Sequence, residues 1–165
     1  MKKSTLIAKQ KTLLRGWKLS FTIKPFGTVN GWSNILHATI GKDNDKYGDN
    51  TPTIWFHSKS TKLQICSAVN GFKSYTVHTL AIPLYKNSLI QIHQVQSETN
   101  HLYYYQIFIN GKKVHDVLNK DPRVFKNVKY YASDPWYKPA HAIISNFTLA
   151  TFKHKGEILV CYWYI

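Results

Sequence analysis

The chain has 165 residues, of which 22 are lysine or arginine and 8 are aspartate or glutamate, so its formal net charge is +14. This length suits one domain with a hydrophobic core. No apolar run approaches the roughly 18 residues that a membrane-spanning helix needs, so we expect no such segment. Arg15 and Arg123 are the only arginines, and lysine lacks the planar fork that reads phosphates and bases. The composition therefore disfavours nucleic acid as a partner.

Alternation of apolar and polar residues dominates the chain from Trp17 onwards. Residues 17–24 alternate throughout, which is typical of a half-buried strand. Asn-Gly pairs at 70–71 and 110–111 predict two hairpin turns. Further strands are predicted at 35–40, 53–57, 62–67, 75–79, 89–95, 102–109, 112–115, 128–132 and 142–149. Short strands with regular turn signals and no sustained helical period predict an all-β, antiparallel two-sheet jelly-roll sandwich.

The two ends of the chain differ from this middle part. We expect residues 1–150 to form a single jelly-roll domain, and 151–165 to be an apolar extension, either an edge strand or a truncated continuation. The start resembles the charged beginning of a signal peptide, but its apolar stretch ends at Lys9 and is too short. A cytosolic protein and a domain of a longer secreted chain both stay open. Cys66 and Cys161 are predicted to be buried thiols rather than a disulfide.

Four segments resemble concanavalin-like, laminin-G-like jelly rolls. They are W-x-L-x-F-x-I at 17–23, I-F-I-N-G-K at 107–112, N-V-K-Y-Y-A-S-D-P-W at 127–136 and I-S-N-F at 144–147. The resemblance spans roughly residues 15–150. Within this superfamily, the chain is similar to modules of cnidarian and other invertebrate extracellular proteins. The resemblance implies two stacked antiparallel sheets, with glycan bound on the concave face or at rim loops. It also implies an extracellular or cell-surface location, with calcium, where present, held among rim-loop oxygens.

One loop is rich in oxygen-bearing side chains of the type that calcium prefers. The candidate metal ligands are Asp43, Asn44, Asp45, Asp49 and Asn50. Calcium takes 6–8 oxygens from carboxylates, amides and carbonyls, and this loop holds three of the eight acids in a basic chain. The alternative interpretation is an ordinary polar turn, in which Asp, Asn and Gly supply turn geometry. The sequence leaves both open.

Exposed aromatic rings beside a carboxylate suit a small polar ligand, because the ring covers an apolar face and the carboxylate accepts hydrogen bonds. The candidate ligand-binding residues are Trp32, Tyr47, Asp134, Trp136 and Tyr137. For Trp136 a structural role, closing one end of the sandwich, is the alternative.

Catalysis is disfavoured, because the paired carboxylates of a glycoside hydrolase are missing. The chain has only two glutamates, Glu98 and Glu157, on separate segments. The leading hypothesis is a non-catalytic recognition module that binds glycan or an extracellular protein through rim loops, with calcium as a candidate ion. The alternative is an interaction or scaffold domain of a larger surface protein that attracts anionic polysaccharides and has no small ligand.

Overall fold

The computed structural model of the chain describes residues 1–152 in full and the strand at 158–164 by its backbone. The strands form two sheets. The first sheet has the order β1 (Leu6–Leu13), β10 (Phe125–Ala132), β3 (Ser33–Thr39), β4 (Thr53–Phe56), β5 (Lys62–Val69) and β6 (Phe72–Ala81). The short strand β11 (Lys138–Pro139) pairs with β3 in parallel. All other pairings in this sheet are antiparallel.

The second sheet is antiparallel throughout its described strands. Its order is β13 (Ile158–Tyr164), β12 (Ala142–Phe152), β2 (Gly16–Pro25), β7 (Ser88–Gln96), β8 (Tyr103–Ile109) and β9 (Lys112–Asn119). Strand β13 lies at the edge of this sheet, paired with β12. The described residues contain no helix that could cross a bilayer.

The core lies between the two sheets. Strand β2 places Leu19, Phe21 and Ile23 in it, all with 0% exposure, which is the inward half of the alternation in this segment. Opposite them, the first sheet contributes Ile54 and Ile65. The predicted all-β, two-sheet jelly-roll sandwich is confirmed.

Two features of the strands were not predicted. The first is strand β1, which lies in the segment whose start resembles a signal peptide. It was not predicted because Lys9 and Lys11 interrupt its apolar residues. In the structure these lysines lie on the exposed side of the strand while Ala8 is buried. The second feature is β11, which is only two residues long. Cys66 is a buried free thiol, and the side chain of Cys161 is outside the described residues.

Candidate functional site

The outer face of the first sheet carries the candidate site. In β4, Ile54 and Phe56 point into the core, so Thr53 and Trp55 lie on the outer face. The register places Trp55 opposite Gln64 of β5. An aromatic ring and an amide therefore lie side by side on this face.

The loop between β3 and β4 folds over the outer face of β3, and Asp49 organises it. Asp49 Oδ1 accepts hydrogen bonds from the Lys42 amide at 3.1 Å and the Thr39 hydroxyl at 3.0 Å. Oδ2 accepts from the amides of Asp45 at 3.1 Å and Lys46 at 2.8 Å. Burial raises the pKa of the Asp49 carboxyl, but these hydrogen bonds outweigh it and hold the pKa below its ordinary value. Asp49 is thus a carboxylate that shapes the loop from within.

The Asp-Pro-Trp turn after β10 is tied to the same loop through His37 of β3. His37 Nε2 lies 2.7 Å from the Asp49 carbonyl oxygen, and Nδ1 lies 2.9 Å from Asp134 Oδ2. A carbonyl can only accept, so Nε2 donates to the Asp49 carbonyl oxygen. Asp134 Oδ1 accepts from the amides of Trp136 and Tyr137, at 3.0 and 2.8 Å. Asp134 and His37 both have 0% side-chain exposure, so they hold the turn rather than reach solvent.

A cavity of about 280 Å³ opens between this loop, the turn and strands β5 and β6. Its aromatic lining is Trp32, Trp55 and Tyr137, and its other lining residues are Asp43, Asn44, Asn50, Gln64, Cys66 and Ser74. Tyr137 meets Trp55 edge-on, with ring centroids 4.4 Å apart. Trp32 is 43% exposed, and its ring lies against that of His57 at 4.3 Å. The cavity thus has a buried aromatic floor, Trp55, and two accessible aromatic walls, Trp32 and Tyr137.

The polar groups of the cavity are held in place by one another. The Tyr137 hydroxyl donates to Asp43 Oδ2 at 2.6 Å, and this bond, together with burial, raises the pKa of Tyr137 to about 12. Asn50 Nδ2 donates to Asn44 Oδ1 at 2.8 Å, and Lys73 Nζ donates to the Asn44 carbonyl at 2.8 Å. Within the described residues, Asp43 Oδ1, Asn44 Nδ2 and Asn50 Oδ1 have no hydrogen-bond partner. The cavity therefore offers both acceptors and a donor to a ligand.

The candidate calcium ligands do not meet at one centre. Within the described residues, the one cluster of three or more possible His, Cys, Asp or Glu ligands is His37, Asp43 and Asp134, with atoms within 4.8 Å of one another. Asp49 points into its own loop, and Asp45 pairs with Lys42. The cluster fits calcium poorly, because two of its three members are buried and already hydrogen-bonded and one is a nitrogen ligand.

The structure distributes the predicted ligand-binding residues unevenly. Trp32 and Tyr137 line the cavity, whereas Asp134 lies beneath the turn. Trp136 is 39% exposed and packs on the His37 ring at 5.2 Å. Tyr47 does not line the cavity. Its ring packs against the Phe125 ring at 5.9 Å and the Arg123 guanidinium at 4.1 Å.

The sequence did not predict several of the residues that line the cavity. Trp55 and Gln64 sit in predicted strands, where alternation assigns each to one face but not to a shared site. Asn44 and Asn50, which were predicted as metal ligands, line the cavity together with Asp43, and their role as metal ligands stays a prediction. Trp55 could have been recognised from the sequence as an aromatic residue at an outward-facing position of a strand.

No protein-family model matches the chain, and no curated protein sequence matches it. Solved structures do resemble it. Sheep galectin-11, in a complex with glycerol, is 14% identical with a TM-score of 0.53 over 90% of this chain and 98% of the galectin. A heptameric SAP-like pentraxin from Limulus polyphemus is 11% identical with a TM-score of 0.58, over 90% of this chain and 71% of its own.

An enzyme also resembles the chain. Trypanosoma rangeli sialidase, in a complex with sialic acid, is 11% identical with a TM-score of 0.57 over 81% of this chain, which spans only 20% of the sialidase. At these identities the similarities establish the fold, a two-sheet jelly-roll sandwich, and leave activity undecided.

Proposed function

We propose that this protein is a non-catalytic glycan-recognition module and that the cavity on the outer face of the first sheet binds the sugar. The observation that carries the proposal is the convergence of an exposed Trp32 ring with the unpartnered polar atoms of Asp43, Asn44 and Asn50 around one cavity. The apolar face of a sugar ring suits the indole, and its hydroxyls suit amides and a carboxylate. Two of the similar structures, the galectin and the sialidase, were solved in complexes with glycerol and sialic acid, which supports the choice of ligand class.

The carboxylates argue for binding rather than hydrolysis. Glycoside hydrolysis needs two carboxyl groups that flank the scissile bond. The described lining of the cavity contains one, Asp43, and its Oδ2 is engaged by Tyr137. Asp134 has 0% exposure and accepts hydrogen bonds on both oxygens, so it is not available to a substrate.

Calcium and location are separate parts of the proposal. The sugar contacts named above do not need a cation, and the calcium prediction stays untested. Binding measured with and without EDTA decides it, since a loss in EDTA would make the ion part of the site. An extracellular or cell-surface location follows from the proposed ligand class.

The test is binding on an array of neutral oligosaccharides, followed by calorimetry on the tightest ligand. We expect Trp32→Ala to weaken binding roughly tenfold, because one stacking wall is removed. The matched control is Tyr85→Ala, which removes a 65% exposed ring outside the cavity and should leave binding unchanged. Unaltered binding by the Trp32 variant, or no glycan bound by the wild type, would refute the proposal.

A further inference from the structure

We propose that the same outer face carries a second site, a lysine strip formed by Lys9, Lys11 and Lys129, which binds the anionic groups of an acidic polysaccharide. The inference deepens the proposed function and rests on it, because it names the kind of glycan that would extend from the cavity to the strip.

The strand register places the lysine strip on the outer face. Lys9 of β1 lies directly opposite Lys129 of β10, and Lys129 lies opposite Thr39 of β3. The neighbouring residue Val128 is in the core, so the alternation turns Lys9 and Lys129 outwards. Lys11 follows two residues after Lys9 on the same side, and both are exposed.

Within residues 1–152, no salt bridge involves a lysine of the strip. Like charges placed directly opposite each other on adjacent strands are destabilising. Because the Lys9–Lys129 pair forms no salt bridge within the part of the chain that the structure describes, an external anion would relieve the repulsion as well as bind.

The lysine strip is close enough to the cavity for one chain to contact both. Strand β10 is separated from β4, which contributes Trp55, by β3 alone. At about 4.8 Å between neighbouring strands, this is about 10 Å across the sheet. Lys129 and Trp55 are also about 17 Å apart along the strands, because they face Thr39 and Asn34. The separation is therefore roughly 19 Å, which an oligosaccharide of a few residues spans. The β3–β4 loop lies between the two sites and carries the exposed Lys46, while Lys42 pairs with Asp45 and Asp49 is buried.

The chemistry of the strip favours a polysaccharide over a nucleic acid. Its cations are lysines, which act as point charges and suit sulfate or carboxylate groups held in any orientation. Binding of single-stranded nucleic acid would need rings on which bases stack. The row Lys9, Lys129, Thr39 contains no ring, and the ring next to it on the same face, that of Tyr131, is half-buried and offers little surface for stacking.

The test compares two triple variants of the full chain that change the net charge equally. The first carries Lys9→Gln, Lys11→Gln and Lys129→Gln. The control carries the substitutions Lys86→Gln, Lys112→Gln and Lys120→Gln, at exposed lysines outside the strip. The probes are a heparin oligosaccharide, the neutral oligosaccharide that the wild type binds best, and a single-stranded RNA, all at low salt.

We expect the strip variant to bind heparin roughly tenfold more weakly, since each exposed ion pair contributes up to a few-fold. Its affinity for the neutral sugar should be unchanged, and the control should bind heparin within about twofold of the wild type. The strip variant should melt no lower than the wild type, because a like-charge pair is removed.

Other results would overturn the inference. Equal losses in both triple variants would show attraction by net charge alone. RNA bound more tightly than heparin, with the same dependence on the strip, would assign the strip to nucleic acid. Failure to bind any neutral glycan would refute the proposed function, whereas heparin binding that ignores the strip would refute this inference and leave the proposed function intact.

Discussion

Two buried aspartates, Asp49 and Asp134, shape the walls of the cavity without lining it. Each accepts hydrogen bonds on both of its oxygens, Asp49 from the loop after β3 and Asp134 from the turn after β10. His37 joins the two by contacting the Asp49 carbonyl and the Asp134 carboxylate. Side chains that look like ligands in the sequence are therefore used to fix loop geometry, which is the more frequent role of Asp in polar turns.

Asp49→Asn should destabilise the protein by about 2–3 kcal/mol at pH 7, because charge-assisted hydrogen bonds are lost and an amide NH₂ would face backbone donors. The pKa of Asp49 is lowered in the folded state. Its contribution to the free energy of unfolding is therefore complete above the pKa of the unfolded state, about 3.9, and is lost as the pH falls through the pKa of the folded state. Urea denaturation at pH 7 and pH 3 checks this, and the deficit of the variant should be smaller at pH 3 than at pH 7.

Asp45→Asn is the matched control, since this carboxylate is 55% exposed and pairs only with Lys42. It should change stability by less than about 0.5 kcal/mol. An equal effect of the two substitutions would mean that loop charge, rather than the hydrogen bonds of Asp49, sets the stability.

At the scale of elements, the β3–β4 loop decides the shape of the site. Asn44 and Asn50 reach the cavity only because the loop doubles back over β3. One residue in it, Gly48, has φ of +110°, and a Cβ there would lie 2.7 Å from the Phe125 ring. The loop thus closes against β10 at a point where only glycine fits.

Gly48→Ala should cost about 2–4 kcal/mol, because the left-handed strain and the clash with Phe125 add. It should also weaken glycan binding, since the loop must shift. Gly41→Ala serves as the control in the same loop: a Cβ there meets nothing within 4 Å, and its φ is not positive. Thermal melts and calorimetry would measure both, and a Gly48 variant with wild-type binding would contradict the role of the loop.

For the whole molecule, the two sheets are joined by packing and by polar contacts, one of which, among the described residues, is a fully buried bridge. Ser67 of β5 and Tyr105 of β8 form a hydrogen bond of 2.7 Å across the core, and Tyr105 has 0% exposure. Burial raises the pKa of Tyr105, so the phenol stays neutral and the bridge is independent of pH in the physiological range. The bridge fixes how the sheets align beneath the cavity.

Tyr105→Phe should destabilise the protein by about 1–2 kcal/mol, because the Ser67 hydroxyl is left buried without its partner. Ser67→Ala should have a similar effect, and the double variant should be little worse than either alone. Denaturant unfolding of the four proteins measures this cycle. If the losses in the free energy of unfolding add in the double variant, the two hydroxyls do not stabilise the protein through the bond between them.

The strand pattern of this chain could be predicted from local residues, and the cavity could not. Alternation at 17–24 assigns Leu19 and Phe21 to the core without knowledge of any other strand. The segment of β1 was missed because its outward residues are lysines and one inward residue is Gln10, buried at 4%. Such a pattern does not distinguish a strand from the charged beginning of a signal peptide.

The amino-acid sequence by itself determined the two-sheet sandwich and the polar loop after β3, because the period of side-chain burial and the turn residues are local properties. Only the tertiary structure decided which outward residues meet. Trp32, Asn50, Gln64 and Tyr137 come from separate segments, and the pairing of Lys9 with Lys129 joins strands far apart in the chain. Strand order and register follow from long-range packing of the whole core, which no short window of sequence contains.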